Sequence, residues 1–161
     1  IRDRVGSGPF PTELHDDVGE ILGKRGNEFG ATTGRKRRCG WLDAVALARM
    51  VQLNGIDGLC ITKLDVLDTF ETIKVCTAYK VDGKLITGFP TDTESWDRLE
   101  PVYEEHSGWD GNTRGIRSYD ELPQQAQSYL KRLEELVGAP IHILSTGPDR
   151  DENVMIKHPL D

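Results

Sequence analysis

Apolar residues fall in two rhythms along this chain. Leu14, Val18, Ile21 and Leu22 recur at helical spacing and predict a short helix over residues 13–24, with Thr12 as its N-cap. Residues 41–53, WLDAVALARMVQL, combine strong helix formers with amphipathic spacing and predict a second helix that Gly55 ends. A third helix is expected over 122–137, with Pro123 in its first turn, Leu130, Leu133 and Leu136 inward, and Gly138 as its cap. The period-two segments lie between these. Residues 58–62 are a short apolar run fit for a buried strand, and 72–81 (TIKVCTAYKV) alternate and are β-branched. Asp82-Gly83 is a strong hairpin signal, so 84–88 should return antiparallel to that strand. An extended piece near 101–104 and strands at 141–144 and 154–156 complete the pattern.

The remaining stretches are punctuated rather than periodic. Gly and Pro crowd residues 4–13 and predict a loop. Residues 25–40 carry Gly26, Gly30, Gly34 and Gly40 with little periodicity, so a long irregular loop is expected, of the kind that tends to carry function. Residues 89–119 are polar and turn-rich. Strands alternating with helices indicate an α/β fold with a mixed sheet, flanking helices and long loops, as a single domain over 1–161.

Composition narrows the class. A chain of 161 residues that is 37% hydrophobic and 29% charged can bury a core and is expected to be soluble. No apolar run approaches the roughly 20 residues of a membrane span, and the first residues lack a signal-peptide pattern. Cys39, Cys60 and Cys76 show no metal or redox spacing, which predicts reduced thiols in a cytoplasmic protein, with Cys60 and Cys76 buried in strands. A net charge of −7 argues against a general nucleic-acid or anionic-membrane binder. The start on Ile1 suggests a fragment or processed product. Against the acidic background, Arg35-Lys36-Arg37-Arg38 is a local device.

Three features carry chemistry. Thr62-Lys63-Leu64-Asp65 follows an apolar strand, where open α/β sheets bind ligands. An ionised Asp is an acceptor only; it can take both the N1–H and the amino group of guanine and is repelled by the acceptor N1 of adenine. Lys63 can lay its methylene stem on the base while its ammonium stays wet. A solvated Lys beside a turn-capping Asp is the plain alternative. Ser145-Thr146-Gly147-Pro148 exits a second strand, and its glycine exposes backbone N–H groups that could meet an acceptor. The layout echoes the base-gripping loops of P-loop GTPases, but GxxxxGK[ST] is missing. In the third feature, residues 26–43, Thr32, Thr33 and the glycines offer hydroxyls and amides, and the arginines offer planar forks for carboxylate or phosphate. Successive side chains of a loop point to different sides, so Arg35 and Arg37 could face ligand while Lys36 and Arg38 face elsewhere. Mutual repulsion of the four cations predicts mobility over 27–39 when nothing binds. An RNA-binding patch is the other use of such a run, though no aromatic platform is interleaved. The four histidines are scattered, and Asp110, Asp149 and Asp151 read as turn formers.

Five ordered blocks together resemble the C-terminal part of the adenylosuccinate synthetases. They are VGSGPFPTE at 5–13, GNEFGATTGR at 26–35, CGWLD at 39–43, TKLDVLD at 62–68 and STGPDR at 145–150. The resemblance implies an α/β GTP-dependent ligase that joins IMP and L-aspartate in AMP biosynthesis through 6-phosphoryl-IMP. It implies Lys63, Leu64 and Asp65 with Ser145, Thr146 and Gly147 as the guanine pocket, and Arg37 on the GTP side. It implies Ala31, Thr32, Thr33, Gly34, Arg35, Lys36 and Arg37 as the aspartate and IMP loop, with Val5 on the IMP side. Mg²⁺, a homodimer and a cytoplasmic location belong to the same expectation. The family's phosphate loop (GDEGKG), catalytic Asp, general-acid His, metal ligands and cross-dimer Arg belong to parts absent from this chain. It should therefore have no catalytic or metal-binding residue of its own and no activity alone. The alternatives are a stand-alone guanine-nucleotide module and an RNA-binding domain.

Overall fold

The computed structural model describes residues 2–4, 6, 8–86, 88–90 and 94–158. Along the chain run β1 (Arg2–Arg4), α1 (Asp17–Arg25), β2 (Arg38–Gly40), β3 (Leu42–Asp43), α2 (Ala44–Asn54) and β4 (Leu59–Ile61). A 3₁₀ turn (Leu64–Leu67) follows, then β5 (Thr72–Val81), β6 (Lys84–Ile86), β7 (Glu100–Ser107), α3 (Gln124–Val137), β8 (Ile141–Ser145) and β9 (Asn153–Met155). The mixed α/β class expected from the sequence is what the chain adopts. It forms two compact units, Ile1–Ala46 with Lys74–Glu105, and Leu47–Ile73 with His106–Asp161.

In the first unit, β5 is the organising strand. It runs parallel to β3 and antiparallel to β6, and β7 also pairs with it. The β5–β6 turn uses Asp82 and Gly83 at positive φ, as their dipeptide predicts. Val45, Cys76 and Tyr79 form a buried cluster, against which Ile86, Phe89, Leu99 and Tyr103 pack. The Tyr79 hydroxyl donates to both Asp43 oxygens at 2.8 and 2.7 Å, and Asp43 Oδ1 accepts the Ala46 amide at 3.0 Å. Asp43 therefore caps α2 from inside the core. This explains why the helix starts at Ala44 rather than at Trp41: Leu42 and Asp43 are drawn into strand pairing with β5, and the Trp41 amide donates to the Thr12 carbonyl at 3.2 Å.

Two further expectations are corrected here. The first helix begins at Asp17, not residue 13, and its cap is Asp16, whose carboxylate accepts the Gly19 amide at 3.0 Å. Thr12 is buried and its hydroxyl instead donates to the Trp41 carbonyl at 2.8 Å. Residues 25–40 are not irregular throughout: β2 pairs antiparallel with β1, and a tight hairpin precedes it.

In the second unit, β4 and β8 run parallel, with Leu59 opposite Ile141 and Ile61 opposite Leu144, and β9 returns antiparallel to β8. Helix α3 buries Ala126, Tyr129, Leu130, Leu133 and Val137 on one face, and Gly138 caps it. The Glu134 carboxylate accepts the Ile141 amide at 2.6 Å, fixing where β8 starts. Burial pushes the Tyr129 phenol far above its ordinary range. Cys76 is buried as expected, but Cys60 is exposed. Strand geometry is the reason: β4 turns Leu59 to the core, and its neighbour must face the other way.

Candidate functional site

Because β4 and β8 are adjacent and parallel, the loops after them leave the same sheet edge. Lys63, Leu64 and Asp65 follow β4; Ser145 ends β8, and Thr146 and Gly147 follow it. The β4 loop turns sharply at Lys63, which holds φ +62° and ψ +44°. That left-handed step costs energy in a non-glycine residue and reverses the chain into the 3₁₀ turn that carries Asp65. Leu64 anchors the turn in the core, so only its backbone can face a ligand. The Asp65 carboxylate is half-buried, with no ion pair among the described residues. Desolvation raises its pKa from the ordinary 3.8, Asp68 and Glu152 push the same way, and its own amide and Arg114 oppose them. A partly dehydrated acceptor is well placed to take two hydrogen-bond donors.

The β8 loop is braced from within. Thr146 is fully buried; its hydroxyl donates to the Ile116 carbonyl at 2.8 Å and its amide to the Glu152 carbonyl at 2.9 Å. Ser145 Oγ donates to the Gly147 carbonyl at 2.9 Å. A Cβ on Gly147 would come 2.1 Å from Glu152 Oε2, so glycine is what lets that carboxylate pack against the turn. Thr146 thus shapes the loop, and ligand contact falls to Gly147 and the backbone.

Asp68, Arg114 and Glu152 were not singled out by sequence reasoning. The Asp68 carboxylate accepts Trp109 Nε1 (2.6 Å), the Thr113 amide (2.8 Å) and the Thr113 hydroxyl (2.9 Å). Glu152 accepts the Asp149 amide at 3.0 Å and pairs with Arg114 at 3.7 Å. Asp68 and Glu152 lie a few residues beyond the two loop motifs, whereas Arg114 is far from both along the chain and reaches them only through folding.

In the first unit, residues 28–37 form a hairpin. The Arg37 amide donates to the Glu28 carbonyl (2.9 Å), Gly30 to Arg35 (2.8 Å) and Gly34 to Gly30 (2.8 Å). Gly34 takes φ +63° to close the tip. Ala31, Thr32, Thr33, Gly34 and Arg35 are all exposed there. The four cations are not equivalent. Lys36 meets Glu20 at 2.9 Å, Arg37 meets the buried Glu28 at 3.0 Å, and Arg38 Nε meets Glu13 at 2.8 Å. Arg38 also donates to the Gly8 carbonyl at 2.6 Å and lies over the Phe10 ring. Arg35 alone has no ion pair among the described residues and projects at the tip. Carboxylate partners answer the mutual repulsion expected of the run. Val5 lies outside the described residues. Among the described residues no three His, Cys, Asp or Glu side chains gather as a cation site, and no helix is long and apolar enough to cross a membrane.

The chain is thus of mixed α/β class, with loops at the carboxyl ends of two parallel strands in one unit and a cation-bearing hairpin in the other. Residues 2–154 match the adenylosuccinate synthetase family, and the chain belongs to it. It is 60% identical over 158 residues to the adenylosuccinate synthetase of Ectopseudomonas mendocina and 60% identical over 157 residues to that of Pseudomonas fluorescens. Each match covers 98% of this chain but only 37% and 36% of the relative. A structure of fully ligated adenylosuccinate synthetase from Plasmodium falciparum superposes with a TM-score of 0.91 at 41% identity, over 97% of this chain and 38% of that one. The chain thus spans a little over a third of the length of the relatives it matches.

Proposed function

We propose that this chain is the part of a GTP-dependent ligase that recognises guanine and captures L-aspartate. The reaction joins IMP and L-aspartate into adenylosuccinate in AMP biosynthesis. GTP phosphorylates the 6-oxygen of IMP, the aspartate amine displaces phosphate from 6-phosphoryl-IMP, and GDP and phosphate are released. Asp65 accepts the guanine N1–H and amino group, Lys63 covers the base, and the Leu64 backbone, Ser145, Thr146 and Gly147 complete the pocket wall. Ala31 to Gly34 offer amides and hydroxyls to the aspartate carboxylates. Arg35 binds aspartate and IMP, Arg37 the GTP side, and Val5 the IMP side. Lys36 stands in the loop chiefly as a brace, through Glu20.

The observation that carries this reading is the shared edge: two loops of matching chemistry leave adjacent parallel strands, one bearing a half-buried acceptor. Mg²⁺ would supply charge neutralisation for phosphoryl transfer, and its ligands are expected outside this chain. Homodimer formation and a cytoplasmic location belong to the same proposal. A stand-alone guanine-nucleotide module needs only the base site. RNA binding is the weaker reading, because carboxylates already engage three of the four cations.

Calorimetric titration tests the base site. The chain should bind GDP in preference to ADP, and Asp65→Asn should abolish that preference. Equal affinities in the unaltered chain would refute guanine recognition.

A further inference from the structure

Residues 109–116 are tied to both loops of the base site. Asp68, one turn beyond Asp65, takes three hydrogen bonds from Trp109 and Thr113. At the other end, the Gly115 amide donates to the Thr146 carbonyl at 3.3 Å and the Thr146 hydroxyl donates to the Ile116 carbonyl. The segment therefore spans the two loops, and Arg114 is the charged residue it contributes between the anchors. Its Nε lies 3.7 Å from Glu152 Oε1, while Glu152 Oε2 holds the Asp149 amide and presses on Gly147. Among the described residues, the charged side chains that act on Asp65 are Asp68, Arg114 and Glu152.

We infer that Arg114 and Glu152 are positioning residues for guanine discrimination: Arg114 offsets the acidic surroundings of Asp65, and Glu152 fixes the Gly147 turn opposite it. The inference rests on the base-site reading proposed above. Two carboxylates and one cation act on a third carboxylate that must be ionised to accept the guanine edge. Removing the cation makes that ionisation harder; removing the neighbouring negative charge makes it easier. The two substitutions therefore have opposite signs, which no general loss of structure reproduces.

The test is GDP and ADP affinity of the chain from pH 4.5 to 8, for the unaltered protein, Arg114→Gln, Glu152→Gln and the double variant. Gln at 152 retains an oxygen for the Asp149 amide, and Arg114 is exposed, so both variants keep the fold. Arg114→Gln should move the acid limb of GDP binding to higher pH and weaken binding about threefold to tenfold near that limb, as a partly screened charge allows. Glu152→Gln should move the limb to lower pH, and the double variant should lie between the two. Limbs that stay in place, or move the same way in both single variants, overturn the inference while the base site stands. A chain without preference for GDP over ADP overturns both.

Discussion

Asp65 and Asp43 show how surroundings give one side chain two opposite uses. Asp43 is sealed in, and the Tyr79 hydroxyl and the Ala46 amide donate to it. It organises a core and a helix start. Replacing Tyr79 with Phe removes a donor from a buried carboxylate, so unfolding in urea should show a loss of about 1–3 kcal/mol. An unchanged midpoint would mean that water or another donor fills the gap. Asp65 instead lacks an ion pair among the described residues and pays a partial desolvation cost that a ligand can relieve. Its pKa is raised above the ordinary carboxylate value, and guanine binding needs the charged form. GDP affinity should therefore fall with acidification at a pH above 3.8, and Asp65→Asn should flatten that dependence. A titration with the same acid limb in Asp65→Asn would assign the limb to another group.

The hairpin over 28–37 makes the same distinction between bracing and binding at the scale of an element. Glu28 is only 2% exposed and pairs with Arg37, so Glu28→Gln should loosen the hairpin and cost about 1–3 kcal/mol, the lower end reflecting Arg37's partial exposure. Arg35→Ala should leave thermal stability within about 0.5 kcal/mol, since the side chain is exposed and has no ion pair among the described residues. Equal losses in both variants would mean that the tip is itself structural. Glu13 braces the next element. Its hydrogen bond to Arg38 holds its carboxyl below the ordinary 4.5, so this stabilisation of β2 is present above that pH and fades as acid takes the carboxyl through its lowered value. Glu13→Gln should show a smaller loss of stability between neutral pH and pH 3 than the unaltered chain, as measured by urea midpoints. These braces also explain what sequence reading could reach. The β5–β6 hairpin, α3 and the strand-end loops were legible because turn chemistry, periodicity and strand termini are local signals. The 28–37 hairpin was not, because Glu20, the partner of its Lys36, lies 16 residues away and its glycines mask a two-residue period. Thr12 looked like a helix cap for the same reason: its partner, Trp41, is 29 residues away. Arg114 and Glu152 sit in turns without rhythm, so only folding brings them to Asp65.

Across the whole molecule, ligand recognition and chemistry are separable properties. On the proposed reading the chain supplies acceptors for a base and donors for carboxylates, yet it spans only 37% of the Ectopseudomonas relative and carries no phosphate-loop motif. Phosphoryl transfer depends on positioned donors and cations around the transferred group, and binding energy directed only at a base edge lowers no barrier at the phosphate. Incubated with IMP, L-aspartate, GTP and Mg²⁺, the 161-residue chain should therefore form no adenylosuccinate above the uncatalysed background, by chromatographic detection of product. GDP titrated into the same preparation should still distinguish it from ADP. Turnover by the chain alone would show that its own residues handle phosphate and would overturn the division proposed here. Binding without turnover would place the reactive phosphate beyond the groups this chain provides. Arg35 would then be a receptor for substrate carboxylate whose proximity matters only once the activated IMP is delivered to it.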